Sequence, residues 1–519
     1  MNIGNMLTRC SRIYPNHIAL AHGPKRLTYT QFNSRSNQLS NALSRIGVGV
    51  GDCVALLMYN CPEMLEALYA CFKGGFSVVP INFRLHPSEY AYIINHSQAK
   101  AVILTQEFNA DILSIRGQIP HAHHLITLAD AEEELLDYEI LMADELKYRA
   151  DVDMKPEDVA WLFYTSGTTG RPKGAMLTHR NLMAMTLTYY ADYGSLGPQD
   201  AILHAAPLSH GSGLYALPNI AQGATNVILA SKSFDPKLVF HTVQEYRITN
   251  MFAAPTMVNV LASSPAAKKY DFSSMRSLIY GGGPMHVEHL IEAMQQLGPC
   301  LTQLYGMGET PMTITFLPYN DHILEGDKLQ MKRLASAGFA RTGVEVRVVD
   351  SQGNPIPSGE IGEVTVRSEV VMKGYWRDPE ATIAAMDGGW LRSGDLGYLD
   401  EQGYLFLMDR SKDMIISGGE NIYPREVEEV IIQHSAVREV AVIGVPDARW
   451  GEAIKAVIVI QPGKEVSRQE LIKFCKKRIA SYKKPKSIEF IDELPKNNNG
   501  KIVKQELRET YWQAVERQV

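Results

Sequence analysis

Tyr164-Thr-Ser-Gly-Thr-Thr-Gly-Arg-Pro-Lys-Gly174 directly follows the apolar run Ala160-Trp161-Leu162-Phe163. The apolar run reads as the end of a buried strand. The eleven residues after it hold four hydroxyls (Thr165, Ser166, Thr168, Thr169), three glycines and Lys173. Glycines let a backbone turn with its N–H groups facing inward, hydroxyls add neutral donors, and lysine adds a mobile positive charge. Such a loop suits a polyphosphate. It is not the common P-loop, because the Gly-x-x-x-x-Gly-Lys-[Ser/Thr] spacing is absent. Gly/Ser/Thr-rich loops are commonly solvated turns, but the order of these residues, their place after a strand and the closing lysine set this one apart.

Size and composition narrow the frame around the loop. With 519 residues, the chain exceeds one ordinary domain. Apolar residues make up 45% and charged residues 21%, as in a soluble globular protein. The formal charge of −6 supplies no basic field for nucleic acid. Cys10, Cys53, Cys61, Cys71, Cys300 and Cys475 are scattered with no Cys-x-x-Cys pair, which argues against a disulfide framework or structural zinc and suits a reducing, cytoplasmic location. The first residues lack the order of a signal peptide. Residues 201–230 carry no Asp, Glu, Lys or Arg, yet Pro207, Pro218 and repeated Gly, Ser and His leave no helix of ~20 apolar residues. That stretch reads as strand, loop and helix around a site, with no integral membrane segment.

Short apolar runs alternate with helical patterns along most of the chain. Residues 53–58, 77–80 and 101–104 read as strands, and residues 62–74 and 86–97 as helices. This βαβ rhythm predicts an α/β fold with largely parallel sheets, and it continues from Ala160 to Gly306. Residues 344–350 and 362–366 alternate as strands around the turn-forming Asp350-Ser-Gln-Gly-Asn-Pro355. Composition shifts near Asp409. Beyond it a strand over 414–417, a break at Gly418-Gly419, a helix opened by Pro424, strands over 440–445 and 453–460, a capping box at Ser467-Arg-Gln-Glu470 and a strand over 488–491 predict a small βαββαβ unit.

Four downstream segments join the loop: Tyr305-Gly-Met-Gly-Glu-Thr310, Trp390-Leu-Arg-Ser-Gly-Asp395, Asp409-Arg-Ser-Lys-Asp413 and Pro495-Lys-Asn-Asn-Asn-Gly-Lys501. An aromatic beside glycine offers a face for a purine and room for close backbone approach. A carboxylate nearby suits Mg²⁺, and another can accept ribose hydroxyls. With these five ordered motifs the chain resembles the adenylate-forming superfamily of acyl-CoA synthetases, aryl-CoA ligases, luciferases and peptide-synthetase adenylation domains, over essentially its whole length. The resemblance implies a large N-terminal AMP-binding domain of several subdomains (residues 1–409), a small mobile α+β lid (residues 410–519) and a hinge at about 410–413. It also implies a two-step reaction: a carboxylate and ATP give acyl-adenylate and pyrophosphate, and the thiol of coenzyme A then displaces AMP.

The same resemblance assigns roles to residues. Thr165, Ser166, Gly167, Thr168, Thr169, Gly170 and Lys173 would hold the β- and γ-phosphates, and Glu309 with Thr165 would hold magnesium. Tyr305 and Gly306 would lie at the adenine, Gly281 and Gly282 would contribute to cofactor binding, and Asp395 and Arg410 would lie at the ribose, with Lys412 at the hinge. Gly308 stands where the family has a threonine that bonds the α-phosphate, leaving Thr310 as one candidate substitute. Lys501 would bridge substrate carboxylate and α-phosphate, since a cation between two approaching anions stabilises the transition state. Lys501, His210, Glu309, Thr165 and Lys173 are thus the expected catalytic set.

The segment Ser417–Val427 resembles the CoA-ligase version, in which domain rotation brings Gly418 and Gly419 to a tunnel for pantetheine. Lys473, Lys476, Lys477, Arg478, Lys483, Lys484 and Lys486 form a cationic run that reads either as a solvated helix face or as a contact for CoA phosphates, with Arg425 a weaker candidate. The acid pocket is expected along residues 207–215, 280–283 and 307–312, with His210 beside the carboxylate and Gly211, Gly213, Leu214, Tyr215, Gly283, Met307, Pro311 and Met312 lining it. These segments contain no Arg or Lys, so a second carboxylate would be buried unpaired. Fatty and aromatic monocarboxylates both remain open, as do transfer to a carrier protein, luciferase-like oxidation and a homo-oligomeric state.

Overall fold

The computed structural model describes residues 1–150, 152–165, 171–410, 413–417, 420–447, 450–497 and 500–512, without the side chains of Asp409 and Arg410. Four sheets carry the chain among the described residues. A nine-stranded sheet runs in the order 339–340, 315–317, 301–305, 277–280, 250–253, 201–204, 225–228, 18–22 and 25–28. A seven-stranded sheet runs 136–137, 124–127, 101–104, 53–57, 77–81, 159–165 and 173–178. Their inner strands are parallel; the nine-stranded sheet is antiparallel at both flanks, and the seven-stranded sheet only at strand 173–178. The expected α/β class with parallel sheets is therefore present. Strands 53–57, 77–81 and 101–104 are buried at every position, the pattern of a sheet covered on both faces.

Local chemistry explains the helices. His86 opens the helix Pro87–Ser97: its backbone N–H donates to Glu89 Oε2 at 2.7 Å, and its Nδ1 accepts from the Ser88 N–H. The charge-free stretch forms strand 201–204, a loop, the helix Gly211–Ala221 and strand 225–228. That helix is buried all round and holds Pro218 in its interior, so packing rather than propensity sustains it. No helix among the described residues is long and apolar enough to cross a membrane.

An antiparallel five-stranded sheet (345–349, 362–367, 386–387, 390–399, 405–410) follows, with Asp350 Oδ1 accepting from the N–H groups of Gln352 and Asn354 in the expected turn. The small C-terminal unit is a largely antiparallel sheet of strands 415–417, 420–422, 437–447, 451–460 and 487–490. It differs from the expected βαββαβ. The strands on either side of the break, Ile415–Ser417 and Glu420–Ile422, pair antiparallel, and a helix Lys504–Trp512 closes the unit. The capping box is half formed: Ser467 accepts from the Glu470 N–H, while the Glu470 carboxylate lies 3.7 Å from His434. All six cysteines are free.

Candidate active site

Parallel sheets place ligand sites beyond the carboxyl ends of their strands, and the expected residues gather there. Strands 201–204, 250–253, 277–280 and 301–305 end at the segments leading to His210, Thr256, Gly281 and Gly306. Strand 159–165 of the other sheet ends at Thr165, whose register partner on the antiparallel return is Lys173. Thr165 and Lys173 thus face each other at the ends of two antiparallel strands, on either side of the phosphate loop. Tyr164 anchors its base through a 2.8 Å contact between its hydroxyl and His96 Nδ1. Ser166, Gly167, Thr168, Thr169, Gly170, Lys412, Gly418 and Gly419 lie outside the described residues, as does the Arg410 side chain.

At the phosphate end, Glu309 is buried, with 4% of its surface exposed. Its Oε1 accepts from Thr165 Oγ1 at 3.0 Å and from the Tyr375 hydroxyl at 2.9 Å. Burial, and then the neighbouring carboxylate, push the Tyr375 hydroxyl well above its ordinary value, so it stays a donor. Lys173 Nζ sits 5.3 Å from the Tyr375 ring centre, a cation–π contact. Tyr375 gains this place because residues 373–376 run alongside strand 173–178: Met176 donates to Gly374 O, Lys373 to Met176 O and Trp376 to Gly174 O. One tyrosine therefore touches both the expected metal carboxylate and the expected phosphate lysine. The sequence reading passed over it; the only signal was an aromatic pair, Tyr375-Trp376, just after Gly374.

At the nucleoside end, the Tyr305 hydroxyl donates to Asp395 Oδ2 at 2.7 Å. Asp395 is the register partner of Arg410 across the hairpin of strands 390–399 and 405–410. Gly281 packs against Leu304, where a Cβ would come within 2.6 Å of Leu304 Cγ. Gly282 has φ 84°, a left-handed turn suited to glycine.

The departure at position 308 has a local cause. A Cβ on Gly308 would lie 2.5 Å from Thr165 Cγ2 and 2.6 Å from Phe163 Cδ1, so these two side chains take the volume another residue would need. Thr310 is fully buried, and its hydroxyl accepts from the Met307 N–H at 3.2 Å within the turn. That leaves the hydroxyl occupied internally, which counts against Thr310 as a stand-in phosphate contact. The turn is tight enough that Met312 takes φ 60°, uncommon outside glycine.

The acid end is apolar and neutral. Asn60 fixes the loop before His210, donating to Ala206 O and accepting from the Leu208 N–H, both at 2.8 Å. His210 is half-buried with its ring 4.9 Å from that of Phe163, and burial pushes its imidazole down to about 4. It is a neutral donor or acceptor at ordinary pH. A Cβ on Gly211 would lie 2.5 Å from Met312 Sδ and 2.8 Å from Phe252 Cε1, so those side chains close on the glycine. Tyr215 is fully buried against Phe252 at 6.0 Å between ring centres, and Leu214 belongs to the apolar core beneath. Gly283 and Met307 are half-buried, Gly283 with Pro255 nearby.

The C-terminal unit reaches the same edge. The Lys501 N–H donates to Asn497 Oδ1 at 2.9 Å. A Cβ on Gly500 would lie 2.8 Å from Thr256 Oγ1, at the start of the helix Pro255–Ala262. Alongside, His286 Nδ1 meets Glu429 Oε1 at 3.0 Å. Burial alone would raise the Glu429 carboxyl, but His286 and Arg425 hold it below its usual range. Of the cationic run, Lys483 pairs with Glu426 at 2.7 Å, Lys486 lies 3.5 Å from Asp447, and Arg478 stacks on Phe474 at 3.7 Å. Lys473 and Lys477 line a shallow cleft with His434, Phe474 and Arg478.

A large α/β body and a small antiparallel unit, meeting over a phosphate loop and an apolar pocket, define an adenylate-forming enzyme. The AMP-binding enzyme family matches residues 7–376, and the AMP-binding enzyme C-terminal domain matches residues 426–501. The chain is 39% identical over 511 residues to a feruloyl-CoA synthase of an Amycolatopsis species, covering 98% of this chain and 99% of that one. It is 33% identical to a medium/long-chain-fatty-acid–CoA ligase of Mycobacterium tuberculosis, covering 99% and 91%. Its structure superposes on an anthranilate CoA ligase bound to anthranoyl-AMP with a TM-score of 0.89 at 29% identity, covering 98% and 97% of the two chains. The chain belongs to the AMP-binding enzyme family and is an adenylate-forming ligase of the acyl-CoA synthetase type.

Proposed function

We propose that the chain activates a hydrophobic monocarboxylic acid with ATP and transfers the acyl group to coenzyme A. The observation that carries this reading is the approach of Gly500, beside Lys501, to Thr256 at the edge where Thr165, Glu309, Asp395 and His210 also lie. In the first step a carboxylate oxygen forms a bond to the α-phosphorus and the bond to pyrophosphate breaks. The Lys501 ammonium offsets the charge of the two anions as they meet, and Lys173 with the loop hydroxyls takes up the charge of the leaving pyrophosphate. Neutral His210 orients the carboxylate without trapping it as an ion pair. Asp395 and Arg410 hold the ribose, and Tyr305 carries the base. In the second step the CoA sulfur bonds to the acyl carbon and AMP leaves.

The phosphate end suits Mg²⁺, which prefers one or two carboxylates and leaves its other positions to phosphate and water. Buried Glu309, with the Thr165 hydroxyl beside it, would hold the ion, and no cluster of three acidic, His or Cys ligands exists among the described residues. When bound, the ion neutralises phosphate charge.

A pyrophosphate-release panel of fatty and aromatic acids, run with ATP and Mg²⁺ with and without CoA, tests the reading. Thioester product from at least one monocarboxylate is expected. Adenylate formation with no thioester from any acid would overturn CoA as acceptor.

A further inference from the structure

The C-terminal unit meets the body at the starts of two neighbouring body helices. Gly500 approaches Thr256 in the first turn of helix Pro255–Ala262, and Glu429 meets His286 at the start of helix Val287–Leu297. These two helices are tied to each other by Asn259 Nδ2, 3.3 Å from His289 Nδ1. They begin beyond the carboxyl ends of strands 250–253 and 277–280, the edge where the site lies. The first contact carries Lys501; the second has no part in the proposed chemistry.

The second contact is built for an anion. The first N–H groups of a helix have no partner within it, and its N-terminal end favours negative charge. His286 stands at the N-cap of helix 287–297, yet its ring makes no capping hydrogen bond there. The Glu429 carboxylate arrives instead from the other unit, 3.0 Å from His286 Nδ1 and 3.8 Å from Arg425 Nε. Burial pushes the Glu429 carboxyl up, but His286, Arg425 and the Val287 N–H together hold it below its usual range. A charged acceptor makes a hydrogen bond roughly twice as strong as a neutral one. With 13% of His286 and 24% of Glu429 exposed, solvent screens the pair only in part.

The neighbouring side chain carries this docking point to Lys501. Glu428, also on helix Pro424–Ile431, is buried; its Oε1 accepts from the Val442 N–H at 2.7 Å and pairs with Lys504 Nζ at 2.9 Å. Lys504 stands three residues beyond Lys501 and opens helix Lys504–Trp512. On the other side of Lys501 in the chain, Lys496 pairs with Glu439 at 2.7 Å. Lys501 is thus flanked by two residues fastened to the unit that Glu429 docks, so the seat of Glu429 sets where Lys501 reaches.

We propose that Glu429 and His286 are positioning residues for adenylate formation, docking the C-terminal unit on the body so that Lys501 stands at the acid end. This rests on the reading of Lys501 as the cation of the first step. Once the carboxylate oxygen is bonded to phosphorus, two separate anions no longer need bridging, so the second step does not depend on the contact.

The test measures the two half-reactions separately: single-turnover pyrophosphate release with ATP, Mg²⁺ and cinnamate or octanoate, and thioester formation from preformed adenylate and CoA. Glu429→Ala should slow pyrophosphate release about tenfold, the worth of a hydrogen bond to a charged group, and leave thioester formation unchanged. His286→Ala should cost less, because the Val287 N–H remains, and the double variant should lose no more than Glu429→Ala, since both act through one contact. Glu429→Gln, which keeps an acceptor oxygen and loses the charge, should fall between Glu429→Ala and the wild type; it decides if thermal melting shows that the alanine variants do not fold. Equal losses in both half-reactions, additive losses in the double variant, or pyrophosphate release at the wild-type rate would overturn the proposal. Lys501→Ala, run alongside, separates this inference from the reading beneath it. A selective first-step loss there with none in Glu429→Ala refutes the docking role alone, whereas equal losses there refute the first-step role of Lys501 and the docking role with it.

Discussion

The two ends of the cleft are built on opposite electrostatic plans. At the nucleotide end, charged groups meet partners that hold them in place: Glu309 accepts from Thr165 and Tyr375, Asp395 accepts from Tyr305, and Lys173 lies over Tyr375. At the acid end, His210 is kept neutral, the walls are Phe, Tyr and Met, and the nearby cation Arg341 is balanced by Asp192. Under the proposed function, the difference suits the ligand each end would hold. A triphosphate brings several negative charges and needs matched cations and donors. A single carboxylate reacts only if it is held without being neutralised.

On the proposed mechanism Lys501 would serve both ends, so its loss has the largest expected effect. Lys501→Ala should lower adenylate formation by about 10²–10³-fold, while thioester formation from preformed adenylate changes far less. Equal losses in the two half-reactions, measured by single-turnover kinetics, would break the assignment of Lys501 to the first step. Next comes Tyr375. Tyr375→Phe keeps the ring under Lys173 and removes the donor to Glu309, so adenylation should fall by roughly tenfold, about the worth of a hydrogen bond to a charged group, with a raised Mg²⁺ requirement. An unchanged Mg²⁺ dependence would reduce Tyr375 to packing.

The neutral plan of the acid end makes a pH prediction. Burial pushes His204, which lies behind the helix that follows His210, down to about 4, as it does His210 and His322. In the unfolded chain these imidazoles titrate near 6.5. The unfolded state therefore binds more protons between pH 6.5 and 4, and the stabilising contribution, complete above 6.5, is lost as pH falls through that window. Thermal denaturation should show Tm falling from pH 7 to pH 5, with about 1–2 kcal/mol lost per histidine. His204→Asn should make the profile shallower, and an unchanged slope would shift the cause elsewhere. The smallest effect lies outside both ends. Lys476→Glu/Lys477→Glu should raise the apparent KM for CoA a few-fold and spare adenylation. An unchanged KM would leave that part of the run as a solvated helix end, where cations favour the helix dipole in any case.

The motifs that handle the nucleotide were legible because phosphate chemistry demands short, contiguous runs of glycine, hydroxyl and charge. Thr165 and Lys173 were readable as one loop, and their pairing across two antiparallel strands follows from it. Strands 53–57, 77–81 and 101–104 were readable because a strand buried on both faces is continuously apolar. Tyr375 was not, because its role depends on a segment two hundred residues away lying along strand 173–178. Nor was the exclusion of a side chain at position 308, which depends on the packing of Phe163 and Thr165.

What the sequence by itself determined is the energy source, since the loop 164–174 and its four companion motifs each specify their chemistry through neighbours along the chain. What only the tertiary structure decided is the surroundings of that chemistry: which tyrosine holds Glu309, which residues leave room only for glycine at 308, and which aspartate balances the buried Arg341. Contiguous residues share a backbone and can be read together. Residues from separate segments meet only through packing, and the neutral Arg341–Asp192 pair is set by that packing alone.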